Sequence, residues 1–350
     1  MTSAPDTRPL LRRLFEPKTI GTMAPVPKLA TYGALFAWTL VVLFPLYWVV
    51  VTSLKVQIDV DSGPYYLPFI DFKPTLDAWD FMLFQSNTRG PYLNSIVVAL
   101  SSTVLAVLIG SMAAYALVRI RFQVKLAAVA AFILLLIGVI VAVAQFAVPW
   151  QIATIAAIAL FLLVLGTIGR RFKAAVGNND IEFWMISNRI MPPIVAVLPI
   201  YVMFQQLRLL DTQIALISTY TAVNLPIVVW LTRDFFAGIP LELEESAEID
   251  GASKFRVFFT IALPLVRSGL AATFMLVLIL AWNEYLLGLF LTNANAQTMP
   301  VLVSAQNTTR GPQWWYMSVL IVIMIVPVIV IAAFLQKHIA RGLLVGAVKG

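Results

Sequence analysis

Eight long apolar runs separated by polar connections set the pattern of this chain. They fall at about 29–52, 92–118, 126–147, 150–169, 190–207, 213–232, 268–291 and 315–336. A helix of about 20 apolar residues matches the hydrocarbon thickness of a bilayer. Backbone polar groups in lipid must be satisfied within their own segment, so each run predicts a spanning helix rather than a strand. The reading is an all-α polytopic membrane protein with about eight transmembrane helices. The runs at 126–147 and 150–169 are separated by little more than Gln145–Gln151, so they predict a tight hairpin. A re-entrant pair that fails to cross fully fits the same pattern.

One stretch of the second half breaks the apolar rhythm. Residues 240–264, PLELEESAEIDGASKFRVFFTIALP, carry Glu242, Glu244, Glu245, Glu248 and Asp250. Pro240 suits a helix start, and acidic residues favour a first turn. Gly251 suits a C-terminal position with positive φ, and Ser253 suits the cap of a second helix. Phe255, Phe258, Phe259 and Ala262 are spaced to share one face of it. Pro264 then ends or kinks that helix ahead of the next apolar run. The segment therefore predicts helix, glycine turn and helix at a membrane surface, a shape for docking into another protein.

Of the 350 residues, 61% are hydrophobic and 12% charged, which places the chain among membrane proteins. With no cysteine, disulfides, thiolate metal sites and cysteine nucleophiles are excluded. His338, the one histidine, lies near the C-terminus, so metal or acid–base chemistry built on histidine has no support. The net charge of +7 concerns topology rather than nucleic acid, because of where the charges sit. With the N-terminus inside, 19 of the 24 Lys and Arg residues fall on the cytoplasmic side. That orientation puts residues 240–264 and both termini in the cytoplasm. The organisation is then a basic tail (1–28), a transmembrane domain (29–336) with an external loop at 53–91, and a C-terminal tail (337–350). Arg12-Arg13 faintly resembles an export signal, but the apolar run starts well downstream and has no cleavage site, so the tail reads as cytoplasmic.

Glu245-Ser246-Ala247, Gly251 after three intervening residues, and Ile261, Leu263 and Pro264 after nine more resemble the EAA signature of ABC-importer permease subunits. Ser246 replaces the middle alanine of the signature; serine is also small, so close approach survives. The surrounding IPLELEESAEIDGAS, the LLDT at Leu209–Thr212 and the terminal VGAVKG are similar to the carbohydrate, maltose-permease G-type branch. The resemblance runs from Leu35 onward, except near 126–182. It implies a six-helix type I importer core, to which the 126–169 hairpin adds two helices without changing the orientation downstream. It also implies that Glu245, Ser246, Ala247, Asp250, Gly251, Ile261, Leu263 and Pro264 form the coupling site for an ATPase subunit dimer. Gly346, Val348 and Lys349 would be a C-terminal contact with the same dimer. Further implied partners are a second, F-type permease and a periplasmic or lipid-anchored sugar-binding protein. The implied location is a bacterial inner membrane.

No phosphate-cradling G-x4-GK[ST] occurs, so the chain reads as a transport subunit and not an enzyme, binding no cofactor of its own, with ATP and Mg on the partner ATPase. Five acids facing an anionic leaflet would be electrostatically poor, which favours a protein partner for 240–264 over lipid. Polar groups at membrane depth mark the translocation path, and here Asn224, Trp282, Asn283 and Glu284 stand out. Two readings of Glu284 remain open: a group meeting sugar hydroxyls or a cation of another subunit, and a structural interhelical hydrogen bond worth about 1 kcal/mol. The alternative function is a stand-alone secondary transporter of a small polar solute, which calls for buried ion-coupling carboxylates. Which sugar or polyol is carried does not follow from the residues.

Overall fold

A computed structural model describes residues 9, 14–15, 23–146, 148–166, 175–187, 192–309 and 311–347. Each of the eight apolar stretches forms a helix within its described residues: α1 (Pro25–Thr52), α2 (Arg89–Arg119), α3 (Leu126–Phe146), α4 (Trp150–Gly166), then, after α5 (Asn178–Ser187), α6 (Pro193–Gln206) and α7 (Gln213–Ala237). The polar segment follows as α8 (Leu241–Ile249) and α9 (Lys254–Leu265). The seventh stretch is α10 (Arg267–Trp282) with α11 (Leu286–Leu291), and α12 (Met299–Ala305) precedes α13 (Trp314–Ala347). Among the described residues, strands form two two-residue antiparallel pairs, β1 (Val124–Lys125) with β2 (Ala175–Val176) and β3 (Asn307–Thr308) with β4 (Gly311–Pro312).

Five helices among the described residues are long and apolar enough to cross a membrane, and α9 with α10 makes a sixth if that bent pair is one span. The remaining apolar helices, α4 and α6, are 17 and 14 residues long. At 1.5 Å per residue they reach about 25 and 21 Å, short of a full hydrocarbon core. Pro192 and Pro193 start α6 late, and the residues after Gly166 lie outside the described set. The last apolar run also departs from expectation: α13 stays helical to Ala347, through most of the stretch read as a tail.

The chain divides into two compact units. The first comprises Met1–Arg89 and Leu302–Pro327. Here α1 buries only its last residues, Val51 and Thr52, and the polar stretch beyond it folds around Lys55. The Lys55 ammonium donates to the Tyr65 carbonyl at 2.6 Å and lies over the Trp48 and Phe72 rings, 4.4 and 5.2 Å from their centroids. Burial pushes its pKa below the ordinary lysine value, with Asp59 and Asp71 opposing the shift.

The second unit comprises Gly90–Val301 and Val328–Gly350. Its core joins α2, α7, α9 and α10 through two apolar clusters. Ala106, Val228 and Val277 form one; Ala114, Tyr115, Val229, Phe236, Ile239, Phe258, Ala262 and Val266 form the other. Between them Gly110 lets α2 approach α7 closely, the small-residue contact that membrane helices use where lipid removes the hydrophobic driving force.

The hairpin of α3 and α4 is closed at its base by the β1–β2 pair. Just beyond β2, Asn178 clasps the end of α2. Its amide donates to the Leu117 and Ile120 carbonyls, and its oxygen accepts from the Phe122 N–H at 2.8 Å. These bonds satisfy carbonyls that a helix C-terminus leaves without partners.

Candidate functional site

The coupling segment folds as its residue types dictate. Pro240 stands at the N-cap position of α8, one residue earlier than the sequence suggests, and Glu242 and Glu244 occupy the first turn. Gly251 takes φ +85°, and α8 ends in a Schellman turn: Ala252 N–H bonds to Ala247 O and Gly251 N–H to Glu248 O, each at 3.0 Å. The Ser253 hydroxyl caps α9 by accepting from Arg256 N–H at 3.3 Å. A π-helical turn over Phe258–Ala262 follows, and α9 meets α10 at an 82° bend just past Pro264.

The buried face departs from the expected one: Val257, Phe258, Ala262 and Val266 are buried, while Phe255, in the α-helical turn ahead of the π turn, is exposed. Phe255 instead packs its ring on Phe259, centroids 4.8 Å apart.

The five acids divide between two environments. Glu242, Glu245 and Asp250 are exposed, as are Ser246 and Gly251. Ile249 stands beside them as an apolar side chain 87% exposed. Ala247, Ile261 and Leu263 are half-buried, and Pro264 is exposed. The signature residues thus combine negative charge, small side chains and exposed apolar surface. Glu248 pairs at 2.5 Å with Lys254, across the glycine turn.

Glu244 does the opposite. It is 2% exposed and lies against the end of α2. Its Oε1 accepts from Arg119 Nε at 2.8 Å and its Oε2 from the Tyr115 hydroxyl at 2.7 Å. The same guanidinium donates to the carbonyls of Phe236 at 3.2 Å and Ile239 at 2.8 Å, near the end of α7. Along the sequence Glu244 counts with the docking acids and Arg119 only as a topology marker. A basic residue closing an apolar run is the signal that was present, but its partner lies 125 positions away.

Of the residues proposed for the path, Trp282, Asn283 and Glu284 lie at the break between α10 and α11, and Asn224 lies on α7 one turn beyond Tyr220, which reaches that break. Asn224 is buried and donates to the Tyr220 carbonyl at 2.9 Å; the Tyr220 hydroxyl donates to the Glu284 carbonyl at 3.3 Å. Trp282 is buried, edge-on to Tyr92 with ring centroids 6.4 Å apart. Asn283 is exposed, its amide donating to Ile279 O at 2.8 Å. Glu284 is half-buried, and its carboxylate accepts the Leu287 N–H at 3.0 Å, capping α11. The apolar run that holds Glu284 in the sequence is interrupted at that residue.

The opposite end of α2 carries a second polar knot. Asp211, at φ +58°, accepts from the backbone N–H groups of Asn293, Ala294, Asn295 and Ala296 and from the Asn295 side chain at 2.9 Å. Burial alone would raise the Asp211 pKa, but the four N–H donors outweigh it and hold the carboxyl below the usual range. Asn94 donates to the Asn295 and Gln297 carbonyls, and the Ser95 hydroxyl accepts from Met299 N–H. Of the expected C-terminal contact, Gly346 lies in the last turns of α13, and Val348 and Lys349 lie outside the described residues.

Comparisons with known proteins bear on the whole chain. A family profile, the binding-protein-dependent transport system inner membrane component, matches residues 181–345. The probable ABC transporter permease protein y4oR of Sinorhizobium fredii is 30% identical over 89% of this chain and 95% of its own length. The trehalose/maltose transport system permease protein MalG of Thermococcus litoralis is 29% identical, covering 89% of this chain and 93% of that protein. The diacetylchitobiose uptake system permease protein NgcG of Streptomyces coelicolor is 26% identical over 89% and 85%. In fold, the chain is similar to a crystal structure of a bacterial ABC transporter that imports the acidic polysaccharide alginate, with TM-score 0.58 and 18% identity over 89% of this chain and 96% of that one.

Proposed function

This chain belongs to the ABC transporter permeases, the binding-protein-dependent inner membrane components, and we propose that it forms half of the translocation path for a sugar or related polyol. It is a transport component and not an enzyme. In our reading the power comes from two ATPase subunits that grip α8 and the turn after it. A second, F-type permease completes the path, and a binding protein delivers the solute. The Arg119 end of α2 and both chain termini face the cytoplasm, in line with the distribution of Lys and Arg.

The observation that carries the coupling reading is the split of the acids on α8. A helix lying on the anionic leaflet would present basic groups to it rather than carboxylates. Here Glu242, Glu245 and Asp250 stay exposed together with Ile249, the mixture expected of a surface that waits for a basic and apolar cleft. For the carbohydrate reading, the support is the named relatives that carry trehalose, maltose or diacetylchitobiose. In the secondary-transporter alternative Glu284 would have to be the ion-coupling group, yet its carboxylate is engaged by Leu287 N–H.

The test is uptake by the whole transporter across a panel of sugars and polyols, with Glu245→Lys in parallel. The expected result is ATP-dependent uptake of one or a few related sugars, lost in Glu245→Lys while the chain remains in the membrane. Uptake by vesicles containing this chain alone would overturn the proposal.

A further inference from the structure

Three helices meet at one buried carboxylate, Glu244, and the half-buried guanidinium that pairs with it. Arg119 is the last residue of α2, Tyr115 lies one turn before it, and Glu244 faces both from α8. Neither oxygen of the carboxylate is left over: Oε1 takes Arg119 and Oε2 takes Tyr115. The remaining reach of the guanidinium goes to the Phe236 and Ile239 carbonyls, where α7 gives way to the connection that leads into α8. A planar fork of fixed donors holds several acceptors in one relative geometry, which a flexible ammonium does not. The ring of Tyr115 packs against those of Phe236 and Phe258, centroids 5.6 and 5.2 Å away, so the bonds are roofed by apolar groups and strengthened by the low dielectric.

The far end of α8 is held differently. Its polar link toward α9 is the Gly251 turn and the Glu248–Lys254 pair, whose side chains are 32% and 61% exposed, and α8 also packs against the first turns of α9. Exposed pairs of this kind contribute little. The buried polar attachment of α8 therefore runs to α2 and α7, not forward along the chain.

We propose that Arg119, Glu244 and Tyr115 are positioning residues that form a latch, making α8 one rigid body with the ends of α2 and α7. A displacement imposed on α8 then reaches those two spans instead of being absorbed in the Phe236–Pro240 connection. This rests on the coupling reading above, but it concerns residues turned away from the docking face. It assigns Glu244, within the signature segment, to force transmission inside the chain rather than to partner contact.

This chain contains no cysteine, so, with any cysteines of the partner subunits replaced, a pair introduced at the exposed positions Leu243 and Arg121 labels α8, off the face of Glu242 and Glu245, and the segment after α2 without background. The complete transporter carrying spin labels at this pair is compared nucleotide-free and nucleotide-trapped, with the latch intact. The same label distance in both states is expected; a change approaching one helical turn, about 5 Å, overturns the latch whatever any latch variant does. In parallel, ATP hydrolysed per solute imported is measured for Glu244→Gln and Glu244→Asp. The expected result is a rise of roughly tenfold in Glu244→Gln with the ATPase still bound, and recovery of most of it in Glu244→Asp. A wild-type ratio in Glu244→Gln overturns the proposal. If the wild-type chain neither binds nor stimulates an ATPase, the coupling reading fails; if it does both while the label pair moves, the latch alone fails.

Discussion

Gly110 and Val228 touch so closely that a Cβ on the glycine would stand 2.6 Å from Val228 Cγ1. Neither helix backbone has room to yield, since Ala106 and Val277 pack on the same valine. Gly110→Ala is therefore expected to destabilise the protein by about 1–3 kcal/mol through overpacking. Val228→Ala in the same chain should restore most of the loss by opening the matching space. Thermal unfolding of the single and double variants in detergent checks this; additive losses would mean that the two helices do not meet there.

Asp211 gives a pH dependence with a definite sign. Its carboxyl is held below the ordinary aspartate value of about 3.9, so its contribution is complete above that pH and disappears as pH falls through the lower, folded value. Asp211→Asn should cost about 1–2 kcal/mol at neutral pH, having lost the charge that four backbone N–H groups share. The gap between wild type and variant should close below pH 4. Unfolding midpoints from pH 7 downward decide it, and a gap that is constant with pH would refute the assignment.

At Gly251 the backbone alone is decisive. The residue has φ +85°, and a Cβ added there would meet nothing within 4 Å, so no side-chain clash confuses the reading. Gly251→Asn should be tolerated, because asparagine visits left-handed backbone readily, whereas Gly251→Val should cost about 1–2 kcal/mol or more. Uptake should follow the same order. Equal uptake by both variants would show that the Schellman turn does not matter to coupling.

The α3–α4 hairpin leaves and rejoins the chain at paired residues, Lys125 opposite Ala175. A two-residue Asn-Gly turn closes such a pair without strain. Replacing residues 126–174 by Asn-Gly should give a chain that still inserts, because the hairpin leaves and returns at one paired base, so its removal keeps the orientation downstream, and the Asn178 clasp on Leu117 and Ile120 remains. Uptake within about threefold of wild type is expected, a difference of less than about 1 kcal/mol. Loss of transport in a correctly inserted chain would give the hairpin a role of its own.

Much of this site is legible along the chain because its determinants are local. Gly251 announces a left-handed turn, Ser253 a cap and Pro264 a bend, and each does what its covalent structure requires. Phe255 misleads because which side of a short helix is covered is set by packing, and that leaves no mark in the spacing. Glu284 misleads for a related reason: hydropathy averages over a window, and a helix break three residues wide passes unseen within it.

Periodicity, composition and the placement of Lys and Arg were enough to establish a polytopic helical membrane protein with an acidic helical elbow, since lipid solvation and helix capping act over one or two turns. Which of the five acids faces outward was decided only when α2, α7 and α8 came together. Arg119 and Glu244 are far apart in sequence, and a buried charge finds its partner through packing, not through spacing.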